Sequence, residues 1–407
     1  MEVESPYSLG ARWIFTMLDD PLEDHWINIR NGKVESVSPK PAHRHTQHLG
    51  EQSILLPATV NAHAHLELSQ LESPLDVPSR SMPDWVVALL AFRRSADYNA
   101  GQGIRTGIER LDSTAAVADI VPPTLCPHPS PPPEGEGTLK SPPPLGEGTL
   151  QSPLPGGSHV NWTGRVGGQV QWLPFAELIA WRKELLPGEI PRSFGLSPHA
   201  PQTVCPTLLE QAVSQQVPIA MHLAETQEEL QLLRHHTGPL VEMMRRADAD
   251  YDPKSVLLGK RPMDYLQLLS AAPSVFVIHG NYLDDEELRF LASHRETMSV
   301  VYCPRSHAYF RHSAYPLQKM LDYGVRVLLG TDSLASVPDL SLVEEMRWVL
   351  KQHPTILPET VYRMGTLDGA FAFHLLQEGL GTIQPGCSDR LAYKQAGDEA
   401  HVVLHCP

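Results

Sequence analysis

Eight short apolar runs, separated by longer helix-like stretches between Ile54 and about Gly379, constrain the fold more than any other feature of this sequence. They are Ile54-Leu-Leu, Ala115–Ile120, Val170–Leu173, Phe194–Leu196, Ile219–Met221, Val275–Ile278, Val300-Val301 and Val325–Leu329. Runs that do not alternate with polar residues read as strands buried on both faces, which belong in parallel sheets covered by helices. Thr226–Arg234 and Asp284–Ser293 show the amphipathic pattern of such helices. Eight strand–helix units over roughly 320 residues predict an α/β fold, a (β/α)8 TIM-type barrel. A doubly wound open sheet is the alternative; no G-x-G-x-x-G follows the first strand to support it.

The chain ends read differently. Trp26–Ile29 reads as a strand, Arg30-Asn-Gly-Lys33 as a hairpin turn and Val34–Val37 as the returning strand. Near the other end, Gly381–Gly386 is rich in turn residues and Val402–Leu404 has strand character. Residues 1–57 and 380–407 are therefore expected to share one small β domain, with the barrel spanning 58–379. The barrel is interrupted at about 121–168 by a Pro/Gly-rich segment. Within it, Pro131–Ser141 is followed at once by a second copy, Pro142–Ser152, differing at two positions. Too few apolar side chains stand there to offset the entropy of ordering, so the segment reads as a disordered insert.

A formal net charge of −15 argues against a nucleic-acid partner, which needs a basic face. The five cysteines are scattered, make no C-x-x-C pair and fit a reducing compartment. The early apolar stretch Trp13–Leu18 is too short for a signal peptide or a membrane span. A cytoplasmic protein without a membrane partner is the expectation.

The sharpest chemical signal is Val60-Asn-Ala-His63-Ala-His65-Leu-Glu67. Side chains two apart on a strand point the same way, so His63 and His65 can grip one metal ion. The pair follows the run Ile54-Leu-Leu-Pro, which places it at the carboxyl end of a buried strand, where barrel active sites lie. The arrangement recurs. Val217–Met221 leads into His222-Leu-Ala-Glu225, Ser274–Ile278 into His279-Gly-Asn, and Val325–Leu329 into Gly330-Thr-Asp332. A helix-capping role would explain Asp332 taken alone; four such strand ends in one chain are not explained by capping.

These residues resemble the amidohydrolase superfamily, and within it the cytosine deaminase-like and chlorohydrolase-like branch. Leu56-Pro-Ala-Thr-Val-Asn-Ala-His63-Ala-His65 is similar to the first-strand motif and Ser197-Pro-His199-Ala-Pro to the fourth. His222-x-x-Glu225, His279 and Gly330-Thr-Asp332 match strands five, six and eight. The resemblance covers nearly all of the chain outside the insert. It implies that the terminal β segments form a composite sandwich, that His63, His65, His222 and Asp332 ligate a metal, and that Glu225 shuttles protons. It further implies that His279 supports the attacking water, and that His199, Glu67 and Ser306 contact substrate. Where the family motif after strand seven usually has asparagine, Cys303-Pro-Arg-Ser306-His307 has histidine.

Three imidazoles and a carboxylate suit zinc, or iron(II), better than magnesium. The strand-four end Phe194–His199 carries no lysine to bridge two ions, so one divalent metal is expected. Glu225 is placed to take a proton from water and deliver it to a ring nitrogen. The motifs around His63, Cys303 and Asp332 resemble most the aminodeoxyfutalosine deaminases of menaquinone synthesis and the related adenosine and S-adenosylhomocysteine deaminases. A small-molecule nucleoside or nucleobase partner follows, and above all a 6-aminopurine nucleoside deaminated to its 6-oxo product. Guanine or cytosine deamination and triazine-type chlorohydrolysis are the enzymatic alternatives; an inactive binding scaffold is the alternative from another class. A homodimer is compatible with the sequence.

Overall fold

Strand-forming segments from the two ends of the chain meet across almost its whole length. A computed structural model describes residues 5–111, 114–122, 125, 165–166, 170–395 and 402–403. In it, β1 (Tyr7–Ile14), β2 (Leu22–Arg30), β3 (Lys33–Ser38), β4 (His45–His48) and β5 (Ser53–Pro57) join β15 (Leu391–Gln395) and β16 (Val402–Val403) in one continuous seven-stranded sheet. The β2–β3 turn falls on Asn31-Gly32, both at positive φ, the conformation a tight hairpin demands. Leu9, Ile14, Ile27, Ile29, Leu55 and Leu391 bury one side of the sheet.

The remaining strands form the barrel. In sequence order they are β6 (Thr59–Ala64), β7 (Thr114–Val121), β9 (Val170–Leu178), β10 (Gly195–Pro198), β11 (Ile219–Leu223), β12 (Val275–His279), β13 (Met298–Tyr302) and β14 (Val327–Leu329). The seven neighbouring pairs of these eight strands are parallel and in chain order, with a short antiparallel β8 (Arg165–Val166) on β9. A parallel bridge between Ala64 and Asp332, with Thr331 and Asp332 amides both donating to the His63 carbonyl at 3.1 Å, brings the last strand back to the first. Gly330 permits that approach: a Cβ there would lie 2.9 Å from the His63 Cβ.

One expectation is corrected. The run Ile54-Leu-Leu belongs to the terminal sheet, where Leu55 pairs with Tyr393. The first barrel strand is the less apolar Thr59–Ala64 beside it, and His63 stands inside that strand. Two adjacent strands of one continuous chain presented a single apolar signal. The Pro/Gly-rich insert lies outside the described residues apart from isolated positions at its edges.

Ala62, Ala118, Phe175, Ala220, Phe276 and Leu328, from six barrel strands, belong to one buried cluster and so fill the barrel interior. At its amino-terminal end Phe373 stacks on Phe276 with ring centroids 4.3 Å apart, and Phe194 closes on both Phe175 and Phe373. This plug leaves the carboxyl end of the barrel as the open one. Val117, Trp172, Met221 and Val277 face outward into a second core beneath the helices. Local signals fix those helices. Thr226 caps Gln227–His235 through the Glu229 amide, and Asp284 with Glu287 forms a capping box on Asp285–Ser293. Among the described residues no helix is long and apolar enough to cross a membrane.

Candidate metal centre and cavity

The barrel ends converge on five imidazoles and two carboxylates. His63 is 1% exposed, and its Nε2 has no hydrogen-bond partner. His65 presents Nε2 at 3.4 Å from Nε2 of His222. The His222 Nδ1 donates to the His199 carbonyl at 3.0 Å, so its proton sits there and Nε2 is left bare. Burial, with His63 beside it, holds His65 well below the usual histidine range; burial together with His199 and His63 does the same to His222. Both are therefore neutral, the form that binds a metal.

Asp332 completes the cluster from a left-handed backbone (φ 64°) just past β14. Its Oδ1 lies 3.7 Å from His63 Nε2, while Oδ2 accepts from Ser306 at 2.6 Å and Ser336 at 3.2 Å. Burial opposes its ionisation, but the nearby His63 and the other surrounding imidazoles outweigh that and hold the carboxyl below the usual range. Donor atoms of His63, His65 and Asp332 lie within 4.8 Å of one another, as do those of His63, His222 and His279. An orphaned buried imidazole nitrogen and two ring nitrogens facing at 3.4 Å are arrangements that a shared cation satisfies. The residues present fit a divalent metal.

Glu225 sits at the edge of this cluster. Its Oε1 lies 3.3 Å from Nε2 of His279. Burial, with Asp332 and Glu229 nearby, raises its carboxyl well above the usual range, whereas burial pushes His279 down to about 3. The turn that aims Glu225 is held from below: Glu229 accepts the amides of Ala224 at 2.7 Å and Glu225 at 3.1 Å. Ala224 and His279 share with Asp332 the left-handed conformation, so strained residues follow or end three barrel strands at this site. His199 Nδ1 is 2.8 Å from the Thr203 hydroxyl, and its ring lies against His222.

Above the cluster opens a cavity of about 580 Å³. His65, His199, His222, Glu225, His279 and Asp332 form part of its lining; Trp85, Leu90, Trp181, Met243 and Phe310 supply an apolar wall. Two residues expected to contact substrate lie behind the cavity lining. Glu67 is fully buried, pairs with Arg93 at 2.7 Å and lies 4.0 Å from His65 Nδ1, so it backs the site without reaching the cavity. Ser306 is 1% exposed and spends its hydroxyl on Asp332. His307, the departure from the family motif, packs against Tyr302 and His312 instead of entering the cavity. Sequence reasoning missed Glu177 and Arg93, both in the cavity wall. Glu177 was discoverable: the run starting at Val170 continues through Pro174 to Leu178, which puts Glu177 at a strand end.

The Amidohydrolase family model matches residues 173–388, just over half of the chain. A 5-methylthioadenosine/S-adenosylhomocysteine deaminase from Pyrococcus furiosus is 34% identical over 194 residues, 45% of this chain and 41% of that protein; the chain thus aligns with less than half of that relative's length. An aminodeoxyfutalosine deaminase from Deinococcus radiodurans is 27% identical over 349 residues, 81% of this chain and 77% of the relative. Among solved structures, Helicobacter pylori aminofutalosine deaminase in complex with methylthio-coformycin shares the fold with a TM-score of 0.70 at 20% identity, over 97% of this chain and 93% of that one.

Proposed function

The chain belongs to the amidohydrolase family, and from that premise we propose that it is a metal-dependent deaminase converting a 6-aminopurine nucleoside, of the aminodeoxyfutalosine type, to its 6-oxo product and ammonia. The observation that carries this reading is the Glu225–His279 pair, at 3.3 Å, on the rim of a histidine–aspartate cluster that floors the cavity. The relative aligned over most of both chains bears the name aminodeoxyfutalosine deaminase, which supports the substrate class.

His63, His65, His222 and Asp332 would hold one divalent cation, zinc or iron(II). Such an ion, when bound, lowers the pKa of water and polarises it for attack near neutral pH. The protein's own part is proton management. Two carboxyls divide the work: Glu225 beside His279, and Asp332 beside His63. Glu225 takes a proton from the attacking water and passes it to the ring nitrogen next to C6. The C6–O bond forms as that nitrogen is protonated. Asp332 then accepts the second water proton and delivers it to the amino group, and the C6–N bond breaks with loss of ammonia. Ser306 and Ser336 fix one Asp332 oxygen, which keeps the other turned toward the histidines. His279 hydrogen-bonds the water and Glu225 together.

The test follows the ultraviolet shift and ammonia release of metal-replete enzyme on aminodeoxyfutalosine, adenosine, methylthioadenosine and S-adenosylhomocysteine, with guanine and cytosine as controls. Turnover within the first group is the expected result. Turnover of guanine or cytosine alone removes the nucleoside assignment; ammonia from none of them removes the deaminase.

A further inference from the structure

Four carboxylates line the cavity among the described residues: Glu177, Glu225, Glu229 and Asp332. Three have work already. Glu225 faces His279, Glu229 holds two backbone amides, and Asp332 belongs to the histidine cluster. Glu177, at the end of β9, is 7% exposed and makes no side-chain hydrogen bond or ion pair with the described residues. Two polar atoms of other lining residues, Arg93 Nε and Gln202 Oε1, are buried without partners. Glu177 and Gln202 come from adjacent strand ends, because β9 pairs with β10 and Ala180 beyond β9 donates to the Thr203 carbonyl at 2.9 Å; Arg93 comes from the end of the helix Met82–Arg93, near enough to Glu177 to feel its charge.

Buried polar groups lose free energy unless a partner is found, so this wall is built to be completed by something that enters the cavity. The charges narrow what that is. A cation matched to Glu177 would meet the Arg93 guanidinium, and an anion matched to Arg93 would meet Glu177. Neutral hydroxyls meet neither objection: each donates one hydrogen, to carboxylate or amide oxygen, and accepts another, from Nε–H. Two adjacent hydroxyls suit the two oxygens of one carboxylate. We propose that Glu177, with Arg93 and Gln202, forms a subsite for the vicinal diol of a ribose, so that the enzyme selects ribonucleosides over deoxynucleosides and free bases. This rests on the deaminase reading above. With the base over Glu225 and His279, the sugar lies toward the ends of β9 and β10, beside His199.

The experiment measures kcat/KM of metal-loaded enzyme for adenosine and 5′-methylthioadenosine, each with its 2′-deoxy and 3′-deoxy analogues, in wild type, Glu177→Gln and Glu177→Ala. Wild type should favour the intact diol by about tenfold or more, chiefly through KM. Both variants should bring that preference to within about twofold. The preference compares substrates on one preparation, so a partly misfolded variant does not distort it. A preference that survives in both variants overturns the subsite. Equal turnover of ribo and deoxy substrates by wild type also overturns it while the deaminase reading stands. If only aminodeoxyfutalosine is turned over, a kcat/KM on it that is unchanged in both variants overturns the subsite; no turnover of any of the three nucleosides overturns both.

Discussion

Ser306→Ala separates two roles for one hydroxyl. Ser306 donates to Asp332 Oδ2 at 2.6 Å in a fully buried setting, and a hydrogen bond to a charged acceptor contributes ~1.5–3 kcal/mol. The longer Ser336 bond, at 3.2 Å, remains in the variant and retains part of the carboxylate's orientation. At 1.4 kcal/mol per decade, the loss should weaken divalent metal binding by roughly tenfold to a hundredfold, the span seen when groups supporting a metal ligand are removed. Competition with a chromophoric chelator reads this directly, without substrate. Ser336→Ala should have a smaller effect, and the double variant should exceed the sum of the two, because only then is Oδ2 without a donor. Turnover at saturating metal should recover most of the loss. Metal affinity unchanged in Ser306→Ala, with KM for the nucleoside raised instead, would refute the positioning role and restore Ser306 as a substrate contact.

Other outcomes follow from the same geometry. Elemental analysis should find one equivalent of divalent metal in the wild type and little in His222→Ala, while circular dichroism of that variant remains native-like. Glu225→Gln should keep the metal and the melting temperature but lose about a hundredfold or more in kcat, the scale of general acid–base catalysis; near-normal turnover would reject the shuttle. Gly330→Ala sets a methyl group 2.9 Å from the His63 Cβ and 3.0 Å from its amide nitrogen, so denaturant unfolding should show a loss of ~1–3 kcal/mol; an unchanged midpoint would mean that the strand ends separate freely.

The barrel was legible because its strands are buried on both faces, and composition alone reports that. Its order was legible because His63, His199, His222, His279 and Asp332 stand at strand ends in the sequence of the strands. What the sequence hid depends on side-chain direction after the strand ends. Glu67 is two residues beyond His65, yet the single turn Leu66–Leu68 sends it under the site toward Arg93 instead of over it. Ser306 likewise lies at the start of a helix whose first turn faces Asp332. Arg93 comes from Met82–Arg93, a helix with apolar residues on several sides, so no periodicity marked which face would look into the cavity. Thr59–Ala64 was masked by its neighbour because the terminal sheet and the barrel share one stretch of chain with only Ala58 between them.

The return of the last barrel strand to the first gives the cylinder a seam, and the proposed ligands lie on both sides of it. His63 and His65 come from the opening edge, Asp332 from the closing edge, and Ala64 and Asp332 are bridge partners. A cation held by that set is a clasp: its binding free energy is added to the backbone bonds that close the cylinder, and removing it leaves those bonds to hold alone. Amides of Thr331 and Asp332 are the ones whose exchange with solvent would register the clasp opening, and His222, one ligand away from the seam, is the anchor against which both edges are drawn.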